Sequence, residues 1–158
     1  MKWCRQTIRR CFQYFAALFA MRNSFPTLYF ENQAGALLED PAAFLRVSWS
    51  SAEREPLVFR SLFTHMVQAL RRNGWHKILI DQRQMRTFSA KEQQWIAGQW
   101  LPLAVQEGGY RFGAIIVSQD VFTRLATAYV TTSVQGLPLI YRTFTDEEAA
   151  VAWLLAQE

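Results

Sequence analysis

Two short runs constrain the fold most. Lys77 to Asp81 (KILID) and Arg111 to Val117 (RFGAIIV) are apolar at successive positions. Side chains on a strand alternate between its two faces, so a run apolar at both parities belongs to a strand covered on both sides. Around these runs the apolar spacing switches to three and four, the period of one helix face. Phe59, Leu62, Phe63, Met66, Val67 and Leu70 form one such stripe, with Arg71 and Arg72 in its last turn and Asn73-Gly74 as its stop. Ser89-Ala-Lys-Glu92 is a capping box that opens a second helix, with Trp95, Ile96, Trp100, Leu103 and Ala104 on one face. Pro102 predicts a kink there, and Gly108-Gly109 an end. Phe122, Leu125, Ala126, Tyr129 and Val130 predict a third helix and its buried stripe. Thr145-Asp-Glu-Glu148 reads as a second capping box, ahead of a helix that buries Val151, Leu154 and Leu155.

Three further segments have strand character. Thr27 to Asn32 has strand composition, and Gln33 to Pro41 reads as a turn because it holds Gly35, Asp40 and Pro41. Ala43 to Ser50 sets Leu45, Val47 and Trp49 against Phe44, Arg46 and Ser48, a half-exposed strand hairpinned to the first. Leu137 to Phe144 is a strand whose Pro138 suits an edge or a strand start. The order β β α β α β α β α predicts a single α/β domain over residues 27–157: a mostly parallel sheet with an antiparallel N-terminal hairpin, covered by helices.

Charge divides the chain. Lys and Arg number 17 against 13 Asp and Glu, but residues 1–22 hold Lys2, Arg5, Arg9, Arg10 and Arg22 and no acid. The remaining residues hold 12 basic and 13 acidic side chains. The basic balance therefore belongs to the first 22 residues, and the near-neutral body argues against a nucleic-acid partner. Both cysteines, Cys4 and Cys11, lie in that segment, so no disulfide framework holds the body, and a cytoplasmic location is the default. No stretch reaches 18 apolar residues, which excludes a polytopic membrane protein.

At 100° per residue the first 19 residues separate into two arcs. Trp3, Cys4, Ile8, Cys11, Phe12, Tyr14, Phe15, Leu18 and Phe19 share one, and Lys2, Arg5, Gln6, Arg9, Arg10 and Gln13 the other. That is the pattern of an N-terminal amphipathic helix at a membrane surface, which would make the protein peripheral to the inner membrane. Its contact residues would be Trp3, Arg5, Ile8, Arg9, Phe12, Phe15 and Phe19. The same pattern suits docking on a protein partner or on a second copy of the chain, as in a homodimer. A signal peptide is a weaker fit, since Gln13 interrupts the apolar core. Met21 as the true start is another reading.

The segments KILIDQR (77–83), QQWIAGQWLPLAVQEG (93–108), RFGAIIVSQDVF (111–122) and FTDEEAAVAWL (144–154) resemble the STAS (SpoIIAA-like) fold, in particular small bacterial proteins described as STAS/SEC14-like. The likeness spans roughly residues 27–156. It implies a non-enzymatic regulatory or ligand-binding module. Anti-sigma-factor antagonists of this fold carry a phosphorylatable serine in an Asp-Ser-Ser-Gly type turn after the strand aspartate. Ser89 stands near that place, but Ala90-Lys91 comes next and the glycine is missing. Ser89 is therefore a weak phosphorylation candidate with a sufficient role as a helix cap.

Enzyme motifs such as GxxxxGK[ST], GxGxxG, HExxH, CxxC and GxSxG are absent from the sequence, and no cofactor is called for. His65 falls in a helical stretch and His76 at a strand start, both read as structural, and no cluster suggests a metal. What remains is the carboxyl edge of the sheet, where open α/β sheets bind ligands. It should present Asp81, Arg83, Ser118, Asp120 and Arg142, with Phe88, Trp95 and Phe122 as a wall. Each also has a structural reading: an Asp81–Arg83 pair, helix caps at Ser118 or Asp120, and a core place for Trp95.

Overall fold

A computed structural model describes residues 24–158. The N-terminal helix expected over the first 22 residues, with its seven contact residues, lies outside the described residues. Six strands form one sheet: β1 (Thr27–Asn32), β2 (Gly35–Asp40), β3 (Phe44–Trp49), β4 (Lys77–Asp81), β5 (Phe112–Ile116) and β6 (Ile140–Phe144). Their spatial order is the sequence order. The pairs β1–β2 and β2–β3 are antiparallel, and β3–β4, β4–β5 and β5–β6 are parallel. The helices are α1 (Pro56–Asn73), α2 (Ala90–Trp95), α3 (Leu101–Gln106), α4 (Val121–Thr132) and α5 (Glu147–Leu155), and a π-helical stretch, Ile96–Trp100, joins α2 to α3.

The sheet has a core on each face. The larger joins Leu37, Leu45, Val47 and Trp49 to Phe59, Leu62, Phe63, Met66 and Leu70 of α1, and to Ile96, Trp100, Leu101 and Val130. The smaller joins Phe44, Leu79, Ala114 and Ile116 to Ala150 and Leu154 of α5. Leu79 faces α5 while Ile78 and Ile80 face the larger core, as the two-parity apolar run of β4 requires. The stripe expected on α1 is buried as a set, and Gly74 ends that helix in the left-handed region at φ 64°.

Four expectations are corrected. The segment expected as a turn is mostly strand, because β2 fills Gly35–Asp40, so the N-terminal hairpin is a three-stranded meander and β1 pairs with β2 rather than β3. Gly35 is there for close approach: a Cβ on it would collide with the Ser48 carbonyl on β3. Asp40 is buried and bonds Arg46.

The second helix stripe shifts. Leu101 is buried and Leu103 exposed, because the π-stretch inserts an extra residue and rotates α3 relative to α2. Pro102, with no N–H to give, sits at the start of α3, and the Leu101 N–H reaches back five residues to the Ile96 carbonyl.

On α4 the buried side is Thr123, Ala126, Thr127 and Val130, whereas Phe122, Leu125 and Tyr129 are exposed. Hydrogen bonds fix that orientation: Thr127 Oγ1 donates to Gln82 Oε1 at 2.8 Å, and the Thr123 and Thr87 hydroxyls meet at 2.7 Å. Finally, the cap of α5 is Asp146, whose Oδ1 accepts from the Ala149 N–H at 2.8 Å, one residue later than the expected Thr145 box, and the helix buries Ala150 and Leu154 while Leu155, expected in its stripe, is exposed.

Candidate functional site

The carboxyl ends of β3 and β4 feed the loops that start α1 and α2, and a cleft of about 420 Å³ opens there. Its rim carries Arg60, Arg86 and Lys91, and its walls Pro56, Phe59 and Trp95. The Arg60 guanidinium lies 5.2 Å over the Trp95 ring. Among the described residues Arg60 and Lys91 have no ion-pair partner, and Arg86 has only a 3.7 Å contact with the exposed Glu53. Such a contact is worth little in water.

The floor of the cleft is Arg54, whose side chain is 3% exposed. Its Nε and Nη2 donate to the two Glu92 carboxylate oxygens at 3.0 and 3.1 Å, and Nη1 and Nη2 donate to the carbonyls of Arg86 and Thr87. The guanidinium also lies over the Trp49, Phe59 and Phe88 rings, at 5.9, 5.4 and 5.5 Å. Beneath it a small cavity of about 40 Å³ lies among Trp49, Phe63, Phe88 and Trp100. Arg54 thus closes the aromatic core where the loops after β3 and β4 meet.

Helix termini add partial positive charge. Ser89 caps α2 with the predicted box: its Oγ accepts from the Glu92 N–H at 3.3 Å, and Glu92 Oε2 accepts from the Ser89 N–H at 2.7 Å. Ser89→Ala should cost about 1 kcal/mol. Urea denaturation measures this, and a loss under about 0.3 kcal/mol would deny the cap its role. By contrast α1 begins at Pro56, its Glu55 side chain makes no capping bond, and its first turn holds no acid.

The other predicted site residues do not gather in this cleft. Asp81 and Arg83 bind each other, with Arg83 Nη2 donating to Asp81 Oδ2 at 2.6 Å and to Glu147 Oε2 at 3.2 Å. Burial pushes the Asp81 carboxyl up, but the Arg83 side-chain and backbone N–H groups outweigh it and hold the carboxyl below its usual value. Glu147 continues the network to Arg46 and Asp40. Asp120 caps α4, accepting from the Thr123 N–H at 2.6 Å, and Ser118 Oγ accepts from the Asp120 N–H at 3.1 Å. The Thr123 N–H holds the Asp120 carboxyl below its usual value. Arg142 lies over the Phe144 ring on the edge strand. Of the predicted wall, Trp95 lines the cleft, Phe88 lies under Arg54, and Phe122 is 73% exposed.

The histidines hold backbone. His65 Nδ1 donates to the Ser61 carbonyl at 2.8 Å while its ring stacks on Phe30, and His76 Nδ1 donates to the Gly109 carbonyl at 2.8 Å. Among the described residues no group of three or more His, Cys, Asp or Glu can hold a metal ion, and no helix is long and apolar enough to cross a membrane. Sequence reading missed Arg54, Arg60, Arg86 and Lys91, which come from two loops and two helices and share no spacing. No family model matches this chain, and no curated protein matches it.

Proposed function

We propose that the chain is a non-enzymatic, STAS-like binding module that takes a small organic anion in the cleft of Arg60, Arg86 and Lys91. One observation carries this reading: weakly paired cations ring an aromatic-walled cleft at the carboxyl edge of the sheet. The cations suit a phosphate or carboxylate, and Trp95 and Pro56 suit an apolar or aromatic remainder. The non-enzymatic part rests on the occupied polar groups. Asp81 is tied to Arg83, Asp120 to a helix start, and both histidines to carbonyls, and of the cleft's own two carboxylates Glu92 holds Arg54 and Glu53 lies exposed beside Arg86.

Phenyl phosphate is the probe, read by amide and indole shifts in nuclear magnetic resonance. Saturable shifts are expected at Arg60, Ser89, Lys91 and the Trp95 indole. Reversing two rim charges with Arg60→Glu and Lys91→Glu should weaken binding tenfold or more, about 1.4 kcal/mol. Unsaturable shifts, or equal affinity in the reversed variant, would remove the cleft from consideration.

A further inference from the structure

The sheet is unevenly covered. On one face lie α1, α2, α3 and α4, and on the other α5, which rests on β4, β5 and β6. Among the described residues no helix lies over β1, β2 and the end of β3 on that second face. The register places Leu28, Glu31, Ala36, Leu38, Arg46 and Ser48 there. Leu28 is 56% exposed and Ser48 is exposed. Between this surface and the first turn of α5 runs a groove of about 320 Å³, lined by Pro26, Leu38, Arg46, Ser48, Asp81 and Glu147 among others.

We propose that residues 1–22 dock on this open half of the chain's own sheet, as the missing part of its third layer. Three observations converge on that occupant. Pro26, directly ahead of β1, is itself a wall of the groove, so residues 1–22 are covalently tethered within four residues of it. Charge is complementary: Glu31, Asp40, Asp81 and Glu147 outnumber Arg46 and Arg83 by two, while the segment carries five cations and no acid. Length is sufficient, because 22 residues span about 33 Å even at a helical rise, and six-residue strands are about 20 Å long.

The segment's aromatic arc supplies what the layer needs. Trp3, Ile8, Phe12, Phe15 and Phe19 lose water contact against Leu28, Ala36 and Leu38, and the basic arc meets the acidic border. This site is separate from the anion cleft, which lies on the α1 side, so either can fail without the other.

Cys4 and Cys11 are the only cysteines, which makes the test direct. In the full chain carrying Cys4→Ser, a new thiol is introduced by Ser48→Cys on the open face or by Thr132→Cys on α4. A short bismaleimide then links it to Cys11, and mass spectrometry separates links within one chain from links between chains. The intramolecular link at position 48 is expected to exceed that at 132 by about tenfold, the gain in effective concentration that docking gives. Combining Arg5→Glu, Arg9→Glu and Arg10→Glu in the Ser48→Cys chain should abolish that gain. Equal yields at 48 and 132, or an unchanged yield after charge reversal, overturns the proposal. Links between chains overturn it in favour of a second copy as occupant. Flotation of the full chain with phosphatidylglycerol vesicles, with no preferential link at 48, overturns it in favour of a lipid surface.

Discussion

Arg54→Ala should destabilise the domain by about 3 kcal/mol, at the low end of what breaking a buried ion pair costs. The guanidinium serves four acceptor atoms and lies over three rings, and its side chain is 3% exposed. Its removal leaves the Glu92 carboxylate without a cation and the carbonyls of Arg86 and Thr87 short of donors. Glu92 is 18% exposed and regains some hydration, which keeps the cost below the upper limit. Lysine offers a point charge in place of a planar fork, so Arg54→Lys should recover only part of the loss. Thermal and urea denaturation of both variants measure this. A loss under about 1 kcal/mol for Arg54→Ala would rank the pair with ordinary surface contacts.

Gly113→Ala should cost about 3 kcal/mol or more, the upper range for overpacking a tight core. Gly113 lies on β5, the strand next to the edge, directly across from Tyr141 on the edge strand β6. A Cβ there would overlap Cε1 and Cδ1 of the Tyr141 ring and the Tyr110 hydroxyl oxygen. Tyr110 is fully buried and cannot move aside without opening the core under Trp100, whose ring centroid is 6.1 Å from its own. A double-mutant cycle with Tyr141→Ala separates this clash from a loss of strand propensity. The tyrosine substitution should cost less in the Gly113→Ala background than alone, with a coupling of about 1 kcal/mol or more. Additive losses would show that the ring does not set the requirement for glycine.

The features legible in the sequence are those whose signals are local. The α1 stripe, the two-parity runs of β4 and β5 and the Ser89 box each fit within a few turns or strand residues, and each is present as expected. β2 is hidden in the sequence because its glycine, aspartate and following proline are turn formers in isolation. Only the partner strand shows that Gly35 admits the Ser48 carbonyl and that Asp40 holds Arg46. The orientation of α4 is hidden too. Its threonines face inward because Gln82 and Thr87, about 40 residues away, present hydrogen-bond partners to them. The cleft is least legible of all, since it is assembled from cations at 54, 60, 86 and 91 that each look like solvated surface charge.

The sequential order of the sheet bears on how the chain reaches its fold. Every strand pairs with the one made just before it, so no pairing waits for a distant segment. The β1–β3 meander closes over turns of two or three residues, and each later strand adds after one helical crossover. Loop-closure entropy grows with the length of chain enclosed, and folding slows as contacts become less local. The sheet can therefore zip from β1 toward β6 during synthesis, with each new edge covered by the next strand. Among the described residues only α5, which spans β4, β5 and β6, must wait for the last strand, and its docking seals the second core.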